Sequence, residues 1–124
     1  MAGLTLDAGA LIAYERSDAR IRDILATAVA EGIVPTVPTV VIAEVWRGDA
    51  KDARVARLLN GCNIEPLDRG RAGAAGALRR GAQGAGTVDS CIAVGVLERG
   101  DVIATSDPDD MRLLLGAGAR LLVV

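Results

Sequence analysis

Short apolar runs alternate with longer amphipathic segments along this chain of 124 residues. Apolar runs of about 4–8 residues, bounded by charged or glycine-rich segments, are typical of buried strands. On this basis we predict five strands, over residues 1–6, 33–37, 62–66, 101–105 and 119–124. Pro35 lacks a backbone donor, so the second strand is expected to be short or peripheral in the sheet. The final strand is apolar enough to be predicted as buried.

Segments with a helical spacing of apolar residues separate these strands. They cover residues 8–14, 18–31, 39–48, 51–60, 67–83, 87–99 and 107–115. In the second segment the predicted inner face consists of Ile21, Ile24, Leu25, Ala28 and Val29. Strands that alternate with helices predict an α/β fold, with a mostly parallel five-stranded sheet covered on both faces. The sequence has no internal repeat or linker, so we expect a single domain over residues 1–124.

The helix predicted from residue 87 carries the first informative carboxylate. Thr87 is predicted to cap this helix, because its hydroxyl can accept a free N–H group of the first turn. Asp89 falls in that turn, and its neighbours one and two turns later are Ile92, Ala93 and Val96. These apolar residues should face the core, so the Asp89 carboxylate is predicted to face inward as well. The alternative is that Asp89 only stabilises the helix dipole.

Two further carboxylates follow predicted strands directly. Asp7 comes after the strand over residues 1–6, and Asp107 comes after the strand over residues 101–105. In open α/β sheets, ligands bind at the carboxyl ends of the strands, where the strand order switches. We therefore expect Asp7, Asp89 and Asp107 to converge. Taken alone, each residue after a strand could be only a turn former or a helix cap.

Glu44 is the fourth candidate and lies in the helix predicted over residues 39–48. It falls three residues after Val41 and four before Gly48, so it is predicted to share their apolar inner face with Val45. A carboxylate on such a face is costly unless it is paired or binds a cation. The alternative is an intrahelical ion pair between Glu44 and Arg47.

The amino-acid composition limits which metal ions and which catalytic groups such a site can use. The chain has no histidine, and its formal net charge is −2. Histidine-based nucleophile systems and most zinc sites are therefore excluded. Four converging carboxylates form an oxygen-only site, which suits Mg²⁺ or Mn²⁺. One or two such cations would support phosphodiester hydrolysis, because they activate water and stabilise the leaving oxygen.

Other residue types bear on the compartment of the protein and on the kinds of binding site that it can form. Cys62 and Cys91 lack metal-ligand spacing and are interpreted as small buried side chains in a reducing compartment. No apolar run reaches the roughly 18 residues of a membrane span, and the N-terminus lacks the pattern of a signal peptide. We therefore expect a cytoplasmic protein. The only aromatic residues, Tyr14 and Trp46, argue against a base-stacking platform.

The sequence resembles the PIN-domain ribonucleases, specifically the VapC-type toxins of bacterial type II toxin–antitoxin pairs. The resemblance is carried by LDAGALIAYE, AEVWRG, VDSCIAVGVLERG and IATSDPDDMRLL, in this order over nearly the whole chain. It implies a PIN-like three-layer sandwich and a Mg²⁺- or Mn²⁺-dependent endoribonuclease. The positions that match the family's metal site are Asp7, Glu44, Asp89 and Asp107. In the family, the hydroxyl that matches Thr105 or Ser106 often helps to hold the site.

The chain departs from the family pattern in two places near the site. Ala8 and Gly9 follow Asp7, where many relatives carry a hydroxyl residue. Asp110 lies three residues beyond Asp107 on the same helical face, so it is an extra or substitute candidate ligand.

The resemblance also implies partners, namely an RNA substrate, a homodimer, and a small antitoxin whose basic side chain enters the acidic pocket. An exposed apolar patch for association is predicted from Leu11, Ile12, Tyr14 and Trp46. The candidates for contacts with the RNA backbone are Arg47, Arg79 and Arg80.

Two other functions fit parts of the pattern. A phosphoacceptor receiver domain is also a five-stranded α/β fold with an acidic cluster, but it needs a lysine near the end of the last strand. The only lysine here is Lys51. A catalytically silent PIN-fold interaction module is the second alternative, although all four acidic positions are intact.

Overall fold

The computed structural model describes residues 2–124. Its strands are β1 (Leu4–Leu6), β2 (Thr36–Pro38), β3 (Asn63–Glu65), β4 (Val102–Thr105) and β5 (Leu121–Val123). They form one parallel sheet in the order β3-β2-β1-β4-β5. Met1, which the sequence analysis includes in the first strand, lies outside the described residues.

Helices connect the strands and cover the sheet. They are α1 (Ala8–Glu15), α2 (Ala19–Ala30), α3 (Thr39–Val45), α4 (Ala53–Asn60), α5 (Arg69–Gly81), α6 (Thr87–Arg99) and α7 (Pro108–Leu115). A single 3-10 turn, Ala50–Asp52, precedes α4. The fold is an α/β three-layer sandwich, so the predicted fold class is confirmed. Across residues 2–124, none of the helices has the length and apolar character needed to cross a bilayer.

The strand order places a topological switch between β1 and β4. From β1 the chain adds β2 and β3 on one side, and it then crosses over to add β4 and β5 on the other. The connections that follow β1 and β4 therefore diverge, and a crevice opens between them at the carboxyl edge. The core below this crevice contains Leu6, Leu11, Ile92, Ile103 and Met111, all essentially inaccessible to solvent.

Two predictions about the sheet and its helices are wrong, and a third holds only in part. β2 is short, as predicted, but Pro35 precedes the strand and does not make it peripheral, because β2 lies between β1 and β3. The final strand, β5, is half-buried to exposed instead of buried, since it pairs on one side only. Val29 does not face inward, because it lies near the end of α2 with 76% of its surface exposed.

A group of paired charges fixes the C-terminal end of α6 to the sheet. Arg99 Nε donates to Asp101 at 2.9 Å, and Arg99 Nη2 donates to the Thr5 hydroxyl at 2.9 Å. The Thr5 hydroxyl in turn donates to Asp101 at 2.7 Å. Arg99 Nη1 also pairs with Glu65, which binds Arg71 at 3.2 Å. We call Thr5, Glu65, Arg71, Arg99 and Asp101 the arginine network.

Candidate functional site

Asp89 lies in the first turn of α6, as predicted, and is half-buried. Its neighbours Ile92, Ala93 and Val96 are buried, because α6 is enclosed over most of its length. Thr87 is not the N-cap. The cap is Gly86, which has no side chain to accept a hydrogen bond, and Thr87 is the first helical residue.

Asp107 and Asp110 approach Asp89 from the start of α7. Asp107 caps α7 after β4, and its backbone N–H donates to the Thr105 hydroxyl at 2.9 Å. One carboxylate oxygen from each of Asp89, Asp107 and Asp110 lies within 4.8 Å of the other two. We call these three residues the acidic cluster. Asp109, by contrast, points into solvent and lies 3.7 Å from Arg112.

Asp7 lies beside the acidic cluster but outside its tight three-oxygen arrangement. It is only 4% exposed, and its carboxylate caps α1 by accepting the Ala10 N–H at 2.9 Å. Burial raises the pKa of Asp7, although hydrogen bonds from Thr105 and from the backbone of Ala10 and Ser106 oppose the shift. The negative charge of Asp107 raises this pKa further.

Glu44 does not lie on the buried face of α3. Val41 and Val45 are buried, whereas Glu44 is exposed at the rim of the site. Nearby protein atoms still remove part of its hydration, which raises its pKa, and the charge of Asp7 adds to the shift. The alternative of an intrahelical pair with Arg47 is also wrong. Arg47 lies beyond the end of α3 and binds Glu15 at 2.8 Å.

The pKa of Asp89 depends on its burial and on the charges of the other four carboxylates of the site. Burial raises the pKa of Asp89 to about 6, and the charges of Asp107, Asp110, Asp7 and Glu44 contribute to the shift in that order. Within residues 2–124, no basic side chain forms an ion pair with the acidic cluster. The site is therefore an accumulation of negative charge that a bound cation would neutralise.

The donor set fits a hard divalent cation. Two oxygens bound to the same cation are separated by at most twice the metal–oxygen distance, roughly 4.2 Å for Mg²⁺ and about 5 Å for Ca²⁺. The oxygens of the acidic cluster lie within 4.8 Å of one another, so side-chain rotations that move them by a few tenths of an ångström would bring them to the Mg²⁺ limit. Carboxylate oxygens without histidine or cysteine are the ligands that Mg²⁺ and Mn²⁺ prefer.

Comparison with known proteins identifies the family. A family model described as "PIN domain" matches residues 4–113. The chain belongs to the PIN domain family. PIN domains are generally nucleases, and members of the family typically use a divalent metal. A sequence search among curated proteins finds no match.

Solved structures share the fold of this PIN domain. A chain of VapBC2 from Rickettsia felis, bound to a DNA fragment from the promoter, has 13% identity and a TM-score of 0.78 over 98% of both chains. A chain of DNA-bound VapBC from Salmonella typhimurium has 17% identity and a TM-score of 0.73, with 99% of this chain and 98% of that chain covered. FitAcB from Neisseria gonorrhoeae has 18% identity and a TM-score of 0.69 over 96% of both chains. At these identities the likeness establishes the fold.

Proposed function

We propose that this PIN domain is a Mg²⁺- or Mn²⁺-dependent endoribonuclease that acts in the cytoplasm as the toxin of a VapBC-type toxin–antitoxin module. The observation that carries the proposal is the acidic cluster, whose three oxygens lie within 4.8 Å of one another without a basic partner in residues 2–124. Its position at the switch between β1 and β4 is where an α/β sheet binds its ligand.

The five carboxylates have different parts in this proposal. Asp89, Asp107 and Asp110 would hold the cation, Asp7 would complete the site from its buried position, and Glu44 would act from the rim. A bound cation would supply a hydroxide from water and stabilise the leaving oxygen of the phosphodiester. Without a cation, the carboxylates would repel the anionic RNA backbone.

The positions of these carboxylates depend on Thr105. Its hydroxyl accepts the backbone N–H of Asp107 at 2.9 Å, and its side chain hydrogen-bonds to Asp7. Thr105 is fully buried at the end of β4, next to β1. It therefore orients an acidic residue from each of the two connections that meet at the switch point.

A cleavage assay on mixed-sequence single-stranded RNA tests the proposal. We expect cleavage with Mg²⁺ or Mn²⁺, none with EDTA, and none from Asp107→Asn. Asp109→Asn is the matched control, because it removes a neighbouring carboxylate that points into solvent. Metal binding without cleavage of any RNA would support the catalytically silent interaction module instead.

The toxin role requires partners, for which we propose a homodimer and a small antitoxin with a basic side chain that enters the acidic pocket. The predicted apolar patch is only partly exposed. Leu11 is fully buried, Ile12 and Tyr14 are half-buried against the core, and Trp46 is 45% exposed. Co-purification with the product of the preceding gene should recover a complex. Monomeric protein at micromolar concentration, with no partner recovered, would contradict the partner proposal.

A further inference from the structure

A cavity of about 440 Å³ is lined at one end by Gly9 and Ser106, which are close in the chain to Asp7 and Asp107. One of its walls is a single face of α1, formed by Gly9, Ile12, Ala13 and Arg16. Gly9 lies two residues after Asp7, at the site. Arg16 is seven residues further on, about 10 Å along the helix axis. The cavity therefore extends from Gly9, close in the chain to Asp7, outward to a cationic side chain.

The opposite wall continues the connection that carries Asp107. Ser106 lines the cavity together with Val124, whose N–H donates to the Thr105 carbonyl at 3.0 Å. Arg20 Nε donates to the Val123 carbonyl at 3.0 Å and ties this end of β5 to α2. A side chain at Gly9 would collide with Ser106, so only glycine permits the close approach that joins the two walls. The cavity is thus formed before any ligand binds.

Arg16 is the one cation among the residues that line the cavity. Its exposed side chain makes no hydrogen bond or ion pair with the residues that the structure describes. The neighbouring Glu15 is already bound by Arg47 at 2.8 Å. Asp18 also lines the cavity, but its carboxylate accepts two N–H groups from the first turn of α2, at 2.9 and 3.3 Å. Arg16 is therefore available to bind an external anion.

We propose that this cavity binds the unpaired nucleotide next to the scissile phosphate, and that Arg16 holds the phosphodiester of that nucleotide. The inference rests on the proposed ribonuclease function and adds a binding position for one nucleotide of the substrate. Ile12, Ala13 and Val124 offer apolar contact to a base, and the Ser106 hydroxyl offers a hydrogen bond to the sugar or the base edge. The cavity is within the size range of small-molecule sites. A base can enter it only when it is not paired in a duplex.

The first test compares Arg16→Gln with Arg57→Gln. Arg57 is an exposed arginine on α4 without an ion pair in the described part of the chain, so it controls for the loss of one positive charge. On a single-stranded RNA substrate, Arg16→Gln should raise KM about tenfold with kcat nearly unchanged. It should also lower the slope of log KM against log salt concentration by about 0.7. The Mn²⁺-dependent rise in melting temperature should stay as in the unsubstituted protein.

The second test locates the contact on the RNA. Uncharged methylphosphonates replace the phosphates next to the cleavage site one at a time. Each modified nucleotide also carries 2′-O-methyl ribose. The control RNA has 2′-O-methyl ribose at the same nucleotide and an ordinary phosphodiester. The unsubstituted protein should lose affinity mainly at one flanking position. Arg16→Gln should be insensitive to replacement at that position, since the interaction is already absent.

The outcomes separate this inference from the proposed function. If the protein cleaves RNA but Arg16→Gln behaves like Arg57→Gln, the cavity does not bind the neighbouring nucleotide. Equal methylphosphonate penalties in the unsubstituted and Arg16→Gln proteins would overturn the inference in the same way. If the unsubstituted protein cleaves no RNA with Mg²⁺ or Mn²⁺, the ribonuclease function itself fails, and the inference fails with it.

Discussion

Charged side chains are paired at one end of α6 and lack a partner of opposite charge at the other end, among residues 2–124. At the N-terminal end, Asp89 joins Asp107 and Asp110 in the acidic cluster, which has no basic partner among residues 2–124. At the C-terminal end, Arg99 binds Asp101 and Glu65 in the arginine network. The network makes its own charge pairs inside the protein. The acidic cluster leaves its charge to be neutralised from outside, which is expected of a binding site and costly in a purely structural one.

Burial alone does not distinguish the two kinds of carboxylate. Asp52 is 3% exposed, so it is better shielded from water than the half-buried Asp89. Burial works against the ionised form of Asp52, yet hydrogen bonds from the backbone N–H groups of Arg47, Gly48 and Asp49 outweigh it and lower its pKa. Burial raises the pKa of Asp89, and the neighbouring carboxylates raise it further, because no such backbone donors oppose the shift. The backbone donors around Asp52 therefore stabilise its charge, whereas the charge of Asp89 has no comparable donors among residues 2–124.

The largest expected effect comes from Asp89→Asn. Cleavage should fall by at least about a thousandfold, as on loss of a principal transition-state contact, and most of the Mn²⁺-dependent rise in melting temperature should be lost. Metal-free protein should be as stable as before or more stable, since one of several like charges is removed. Melting curves with EDTA and with Mn²⁺, alongside RNA cleavage, measure both effects.

A purely structural Asp89 predicts the opposite sign in the metal-free protein. Loss of its interaction with the helix dipole would lower stability by about 0.3–1 kcal/mol. A destabilised metal-free variant that still cleaves RNA would show that the site is misassigned. Asp109→Asn is the control at the same end of the crevice, because its carboxylate is fully exposed.

Arg99→Met tests the other end of α6. It leaves Asp101 and Glu65 without their shared cation, so the free energy of unfolding should fall by about 2–4 kcal/mol. The loss should be the same with and without Mn²⁺, which urea denaturation under both conditions can measure. Arg112→Met is the control, since its pair with Asp109 is exposed and should contribute less than about 0.5 kcal/mol. A loss in Arg99→Met that Mn²⁺ restores would connect the two ends energetically.

The pH dependence of the free energy of unfolding tests the N-terminal end of α6, where Asp89 lies. The pKa of Asp89 is raised from 3.8 to about 6, so between these values the native state binds more protons than the unfolded state. In EDTA, the free energy of unfolding should therefore fall as pH rises from about 4 to 6.5, by roughly 1–2 kcal/mol for this partly solvated group. Urea denaturation across this range should show the fall in the unsubstituted protein and a flatter profile in Asp89→Asn. Identical profiles would show that Asp89 titrates normally.

The smallest effect is expected from Glu44→Gln. Glu44 is exposed at the rim, so its removal should weaken Mn²⁺ binding only several-fold and change metal-free stability by less than about 0.5 kcal/mol. Glu31→Gln, an exposed glutamate at the end of α2, is the matched control. A Mn²⁺ titration monitored by melting temperature compares the variants. A loss as large as that in Asp89→Asn would place Glu44 among the direct ligands.

The sequence by itself determined the strands, the helices and the edge to which the aspartates go. Apolar runs and helical periodicity are local signals, and the parallel α/β pattern sends every strand end to one edge of the sheet. This is why the sequence predicts that Asp7, Asp89 and Asp107 converge. Their role as metal ligands stays a prediction for the experiments above.

Only the tertiary structure decided which side chains turn toward that edge and which find partners elsewhere. Helical periodicity groups Glu44 with its neighbours on α3, but the packing of α3 buries Val41 and Val45 and leaves Glu44 at the rim. The sequence likewise could not assign Arg47 to Glu15, 32 residues away. Such pairings depend on how separate helices pack against one sheet. That packing is set by the summed burial of the whole core and not by the residues next to each charge.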